Sequence, residues 1–120
     1  MFEALRGMFH DKTKYDQGVP RSPLWPKVRA EWLVKNGRCA ACGTKDDLNV
    51  HHVIPVSFDA KHELDTGNFI TLCEKPGHGC HFRLGHDCNW SKRNPNVRVD
   101  AAKSIDMFLS VQTRDQYKGI

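Results

Sequence analysis

Four of the five cysteines fall into two close pairs, Cys39-Ala-Ala-Cys42 and Cys73-Glu-Lys-Pro-Gly-His-Gly-Cys80. Thiolate pairs separated by a long insert are the pattern of a tetrahedral structural zinc site, because a tight turn must aim two sulfurs at one ion. Gly43 follows the first pair, and Pro76, Gly77 and Gly79 supply turn residues for the wider second one. Between the pairs lies Asn-Val-His-His-Val-Ile-Pro, residues 49–55, and His81 directly follows Cys80. Neighbouring side chains of a strand point to opposite faces, so His51 and His52 cannot fill one core position. One can hold a metal while the other does something different. The competing readings are ordinary buried cysteines, a zinc site in which His78 replaces a cysteine or His81 joins the sulfurs, and incidental strand histidines. Cys88 is left over and is read as a plain small residue.

The elements that must position these groups are legible in outline. Residues 1–23 read as an arm, with Phe2, Leu5, Met8 and Phe9 forming a short amphipathic turn or two. A helix is expected from Leu24, capped by Ser22, with Pro26 near its start. Val28, Trp32 and Leu33 form its apolar stripe, and Asn36-Gly37 ends it. Leu48 to Ile54 reads as a strand stopped by Pro55. Residues 56–67 read as a polar, acidic loop, and Phe69 to Leu72 as a short apolar run leading into Cys73. From His81 a helical segment is interrupted by Gly85, and Asn94-Pro95-Asn96 is a break. Residues 100–117 place Ala102, Ile105, Phe108, Leu109 and Val111 at helical spacing, the pattern of a packing helix. Trp25, Trp32 and Trp90 are read as core or interface, and His10, His62 and His78 as surface residues.

At 120 residues the chain has a one-domain length with a modest core. Its 39% hydrophobic content and negative mean hydropathy suit a soluble protein. No apolar stretch reaches membrane-spanning length, and the N-terminus lacks a secretory apolar segment, so a cytoplasmic chain with no membrane partner is expected. The net charge of +4 is unevenly spread. Basic residues dominate from Arg6 to Arg38 and return with Arg83, Lys92, Arg93, Arg98 and Lys103, flanking an acidic middle. Folded onto one face they form a footprint for a polyanion; otherwise they solvate helix surfaces.

The order C-x2-C, His-His-x-x-Pro, Asn68, then Cys and Cys-His resembles the HNH endonuclease family, the ββα-metal nucleases, of the small stand-alone phage or bacterial type. The resemblance covers about residues 24 to 90. It is carried by LWPKVRAEWLVKNGRCAACG, by NVHHVIP, and by GNFITLC joined to GCH. The departure is the C-x6-C second pair, where zinc-stapled members usually have C-x2-C. A further histidine one helical turn beyond the last motif histidine often completes the metal site in relatives. Here position 85 is glycine and His86 lies one residue too far, so a third ligand from His86 stays open but is not expected.

The resemblance implies an α+β fold, a ββα-metal, treble-clef-like core over residues 24–96. This core is stapled by structural Zn²⁺ on Cys39, Cys42, Cys73 and Cys80, with the arm before it and a C-terminal helix over 97–120. It implies a catalytic divalent ion (Mg²⁺, Mn²⁺, Ni²⁺ or Zn²⁺) held by His51 and His81. It implies His52 as general base, suited by the ordinary imidazole pKa of about 6.5. Asn68 would fix the catalytic loop. DNA is the implied partner, with Arg83, Lys92 and Arg93 on phosphates, contacts that add affinity without sequence information. The competing function is a non-catalytic zinc-knuckle module binding nucleic acid or protein, which needs the cysteines but not His52, Asn68 and His81. The apolar ends leave room for a homodimer or for membership of a larger phage-packaging or defence complex.

Overall fold

The computed structural model describes residues 15–16 and 19–118, with side chains from 20 to 111. The amphipathic turn expected over Phe2 to Phe9 lies outside the described residues.

The centre is one antiparallel hairpin, β3 (Leu48–His52) paired with β4 (Phe69–Cys73), with Val50 opposite Thr71, His51 opposite Ile70 and His52 opposite Phe69. Before it, β1 (Tyr15–Asp16) and β2 (Val19–Pro20) form a minimal antiparallel pair. Period-2 alternation splits the central hairpin into two faces. Val50 and Phe69 pack with Trp25, flanked by Val28, Trp32 and Leu33 of helix α1 (Trp25–Lys35). Ile70 and Leu72 face the other way into a cluster with the four paired cysteines, Ala41, Val97 and Ala101. The chain therefore builds two small cores, one on each side of a single hairpin.

Helix α1 starts at Trp25, one residue later than expected, with Pro26 in its first turn. Ser22 does not cap it in the expected sense: its Oγ accepts from Leu24 N at 3.2 Å, just upstream of the helix. Asn36 ends α1 as expected. The strand expected through Ile54 stops at His52, because Asn68 captures the chain there. Its Oδ1 accepts from Ile54 N at 2.8 Å, and its Nδ2 donates to Ile54 O at 3.0 Å and to His62 O at 3.2 Å.

After β4, residues His81–Gly85 form a single π-type turn. It ends in two left-handed non-glycine residues, Asp87 and Cys88, with φ of 52° and 60°. Such residues cost about 1–2 kcal/mol each and are retained where the surroundings over-determine them. Cys88 is exposed. Helix α2 (Val97–Lys118) starts three residues before the expected position. It packs through Val97, Ala101 and Phe108, while Leu109 and Val111 of the expected stripe are half exposed. No helix among the described residues is long and apolar enough to cross a membrane.

Candidate metal centre

The knuckle turn Cys39–Gly43 closes with Gly43 N donating to Cys39 O at 2.9 Å, and Gly43 takes a φ of +80° that a side chain would resist. The turn brings Cys39 and Cys42 against Cys73 and Cys80, all four buried, with their sulfurs within 4.8 Å of one another. Cys42 and Cys73 approach to 3.7 Å between sulfurs. The crowding splits the thiols. The hydrogen bond with Cys80 pulls Cys39 down to about 4, burial pushes Cys42 up to about 11, and the shared hydrogen bond with Cys39 raises Cys80. Four sulfurs this close cannot all be thiolates without a cation, and an all-cysteine tetrahedral set is the donor chemistry of structural zinc. His78 takes no part in this cluster; its ring stacks on Phe108 of α2 at 5.6 Å.

On the same side of the hairpin, His51 projects from β3 toward the π turn. It meets His81 and His86 with one ligand atom from each within 4.8 Å of the others. Nδ1 of His51 lies 3.1 Å from Nε2 of His81. The ring of His86 lies 4.9 Å from each of the other two. His81 Nδ1 donates to Glu74 Oε1 at 3.3 Å, and His86 Nδ1 donates to Lys92 O at 2.8 Å. With those protons on Nδ1, the lone pair of each ring sits on Nε2, and the oxygens give the usual outer support of a metal-binding histidine. His51 is held well below the usual histidine pKa, by burial first and then by the other histidines, so it stays a neutral donor. Three imidazoles so placed fit a divalent cation that accepts nitrogen ligands.

The presence of His86 departs from the expectation and has a local cause. In an α-helix five residues advance by about 500°, placing the fifth about 140° around from the first. Here His86 N bonds to His81 O at 3.2 Å, an i→i+5 closure that returns His86 to the side of His81. Gly85 permits the crowding. A Cβ at that position would stand 3.1 Å from Cε1 and Nδ1 of His51 and 3.2 Å from Cδ2 of His81. The left-handed pair at 87–88 then folds Trp90 back, its ring 5.1 Å from His81 and 4.9 Å from His86. Trp90 is 47% exposed and covers the histidines instead of filling a core.

His52 lies on the opposite face of β3, as alternation requires. Its ring packs on Trp25 at 4.5 Å and is almost fully buried. Nε2 donates to Glu63 O at 2.8 Å, which leaves Nδ1 as the lone-pair nitrogen, and Nη1 of Arg21 lies 3.4 Å from it. Asn68 bonds to the segment directly after His52 rather than to the histidine itself.

The basic residues divide. Arg83 is turned onto the knuckle, donating to His78 O at 2.6 Å and to Cys80 Sγ at 3.8 Å. Lys92 and Arg93 border a cavity of about 170 Å³ with Ser57, Phe58 and His86, and the Arg93 guanidinium lies 5.0 Å from the Phe58 ring. Lys35 and Arg38 from the first basic segment border the same groove as Arg98 from the second. Together with Lys45 they line this groove of about 860 Å³ between α1, β4 and α2.

No curated protein and no solved structure matches the chain. Residues 39–87 match a family model described as HNH endonuclease. That span runs from Cys39 to Asp87, two residues past the π turn. The four cysteines and three histidines that the α+β core brings together thus all lie within the residues that match the HNH endonuclease family model.

Proposed function

We propose that the protein is a metal-dependent endonuclease that hydrolyses phosphodiester bonds of DNA, by nicking or by cutting both strands. The observation that carries this reading is the convergence of His51, His81 and His86 beside a separate four-cysteine cluster, all within the residues that match the HNH endonuclease family model. A structural knuckle alone has no use for a second cluster of three imidazoles. A divalent cation held by these three residues supplies Lewis-acid neutralisation of the phosphate and of the departing 3′ oxygen.

The remaining chemistry belongs to the chain. His52, with Nε2–H held by Glu63 O, presents Nδ1 to take a proton from the attacking water. Asn68 acts indirectly, holding Ile54 and His62 so that the strand end carrying both histidines keeps one conformation. Glu74 and the Lys92 carbonyl keep His81 and His86 in the metal-binding tautomer. Lys92 and Arg93, next to His86, contact backbone phosphates of DNA.

The test is conversion of supercoiled plasmid by the zinc-loaded protein in EDTA, then with Mg²⁺, Mn²⁺ or Ni²⁺ added back, beside His52→Ala. Cleavage that needs the added ion and falls by about 10²–10⁴-fold in His52→Ala is the expected result. A folded protein that retains its zinc and cuts under no metal would instead be a binding module for nucleic acid or protein.

A further inference from the structure

The guanidinium of Arg21 occupies the space in front of the lone-pair nitrogen of His52. Nη1 is 3.4 Å from His52 Nδ1, and the guanidinium carbon lies 4.7 Å from the centre of the Trp25 ring. The same indole carries the His52 ring at 4.5 Å, so one aromatic surface sets both groups side by side. The backbone beside Arg21 is fixed as well. Ser22 N donates to Glu63 Oε2 at 2.7 Å, and Glu63 O accepts from His52 Nε2 at 2.8 Å. Buried Glu63 therefore clamps the arginine's segment with its carboxylate and the histidine with its carbonyl.

Resting on the nuclease reading, we propose that Arg21 is a further catalytic residue, whose guanidinium binds a non-bridging oxygen of the scissile phosphate on the side from which water attacks. Among side chains, the planar fork of arginine matches phosphate oxygens two at a time, and it is already oriented here by Trp25. In the step it serves, the water oxygen bonds to phosphorus and the water proton passes to His52 Nδ1. The bond from phosphorus to the 3′ oxygen breaks with its electron pair staying on oxygen, which takes a proton from solvent. Negative charge grows on the non-bridging oxygens during that step. A pre-placed guanidinium acts where the charge develops. The adjacency also orders events: the phosphate that draws Arg21 toward itself uncovers Nδ1 for the water.

The experiment compares wild type, Arg21→Ala and Arg21→Lys in single-turnover cleavage of an oligonucleotide duplex, with DNA affinity measured in EDTA and zinc content checked for each. Arg21→Ala is expected to slow cleavage by about 10²–10³-fold, far more than it weakens DNA binding, with zinc unchanged. Arg21→Lys should fall between the two, and guanidinium ion should restore part of the rate to Arg21→Ala but none to His52→Ala. Replacing the scissile phosphate by a methylphosphonate should slow the wild type more than Arg21→Ala, a comparison that holds for any folded variant. A wild type that cuts beside an Arg21→Ala that cuts equally fast overturns the arginine's role alone. Rate and affinity falling in equal proportion without guanidinium rescue also overturns it. A wild type that never cuts overturns the nuclease reading and this inference with it.

Discussion

His86 follows His81 by five residues, yet the two rings lie 4.9 Å apart on one side of the chain, both against Trp90. The relationship exists because the turn between them closes five residues apart and because position 85 has no side chain. Two histidines so placed bring a pair of nitrogen donors from a very short segment to the one strand histidine that faces them.

Gly85→Ala tests that arrangement. Its Cβ would press on His51 and His81 at 3.1 and 3.2 Å, and both rings belong to the cluster, so neither can withdraw without loosening it. We expect affinity for Ni²⁺ or Co²⁺ at the histidines to drop by about 10–100-fold, the range seen when the supports of metal ligands are disturbed. Calorimetric titration of the zinc-loaded protein measures this, and the zinc content should stay unchanged.

Replacing any one of Cys39, Cys42, Cys73 or Cys80 by serine removes a ligand from the centre of one of the two cores. Structural zinc contributes roughly 10–16 kcal/mol apparent, as much as the whole stability of a typical domain at about 5–15 kcal/mol. Each variant should therefore lose cooperative unfolding, seen as the absence of a thermal transition by circular dichroism. Because Cys42 holds its proton up to about 11, zinc binding must release protons. Zinc affinity consequently weakens as pH falls, and a chromogenic chelator should remove the ion faster at pH 6 than at pH 8.

The neutral state of His51 predicts a pH dependence in protein stripped of its second metal but still holding zinc. Burial depresses the pKa of this base in the folded chain, so the unfolded chain binds the proton more readily. Its contribution is complete above about pH 6.5 and is lost as pH falls from there toward the folded value. Urea midpoints at pH 7.5, 6.5 and 5.5 should decline in that order. In His51→Asn the decline should be shallower.

Asn68→Ala removes three hydrogen bonds, one accepted from Ile54 N and two donated to Ile54 O and His62 O. With each worth about 0.5–1.5 kcal/mol net and a half-buried backbone N–H left without this partner, the loss should be about 2–4 kcal/mol. Urea unfolding measures it. Asn68→Asp keeps the acceptor for Ile54 N and should lose less.

The parts legible in the sequence were those fixed by local geometry. C-x2-C before a glycine can close in few ways, and the strand period of two put His51 and His52 on opposite faces before any coordinates. The order of cysteines, histidines and Asn68 was enough to indicate the family whose model matches residues 39–87. His86 could not be assigned, because the α-helical period turns a fifth residue away from the first. The switch to a π turn depends on the rings packed against Gly85 and on Asn94, which donates to Leu84 O at 2.8 Å and to Asp100 at 2.7 Å, binding the turn to α2. Trp90 reaches the histidines only through two left-handed residues, Asp87 and Cys88, and a cysteine does not announce that backbone. Arg21 and His52 are separated by 31 residues, and only the packing of α1 on the hairpin brings them together. Spacing along the chain determines contacts within a turn or a strand, whereas contacts between elements are decided by which faces bury together.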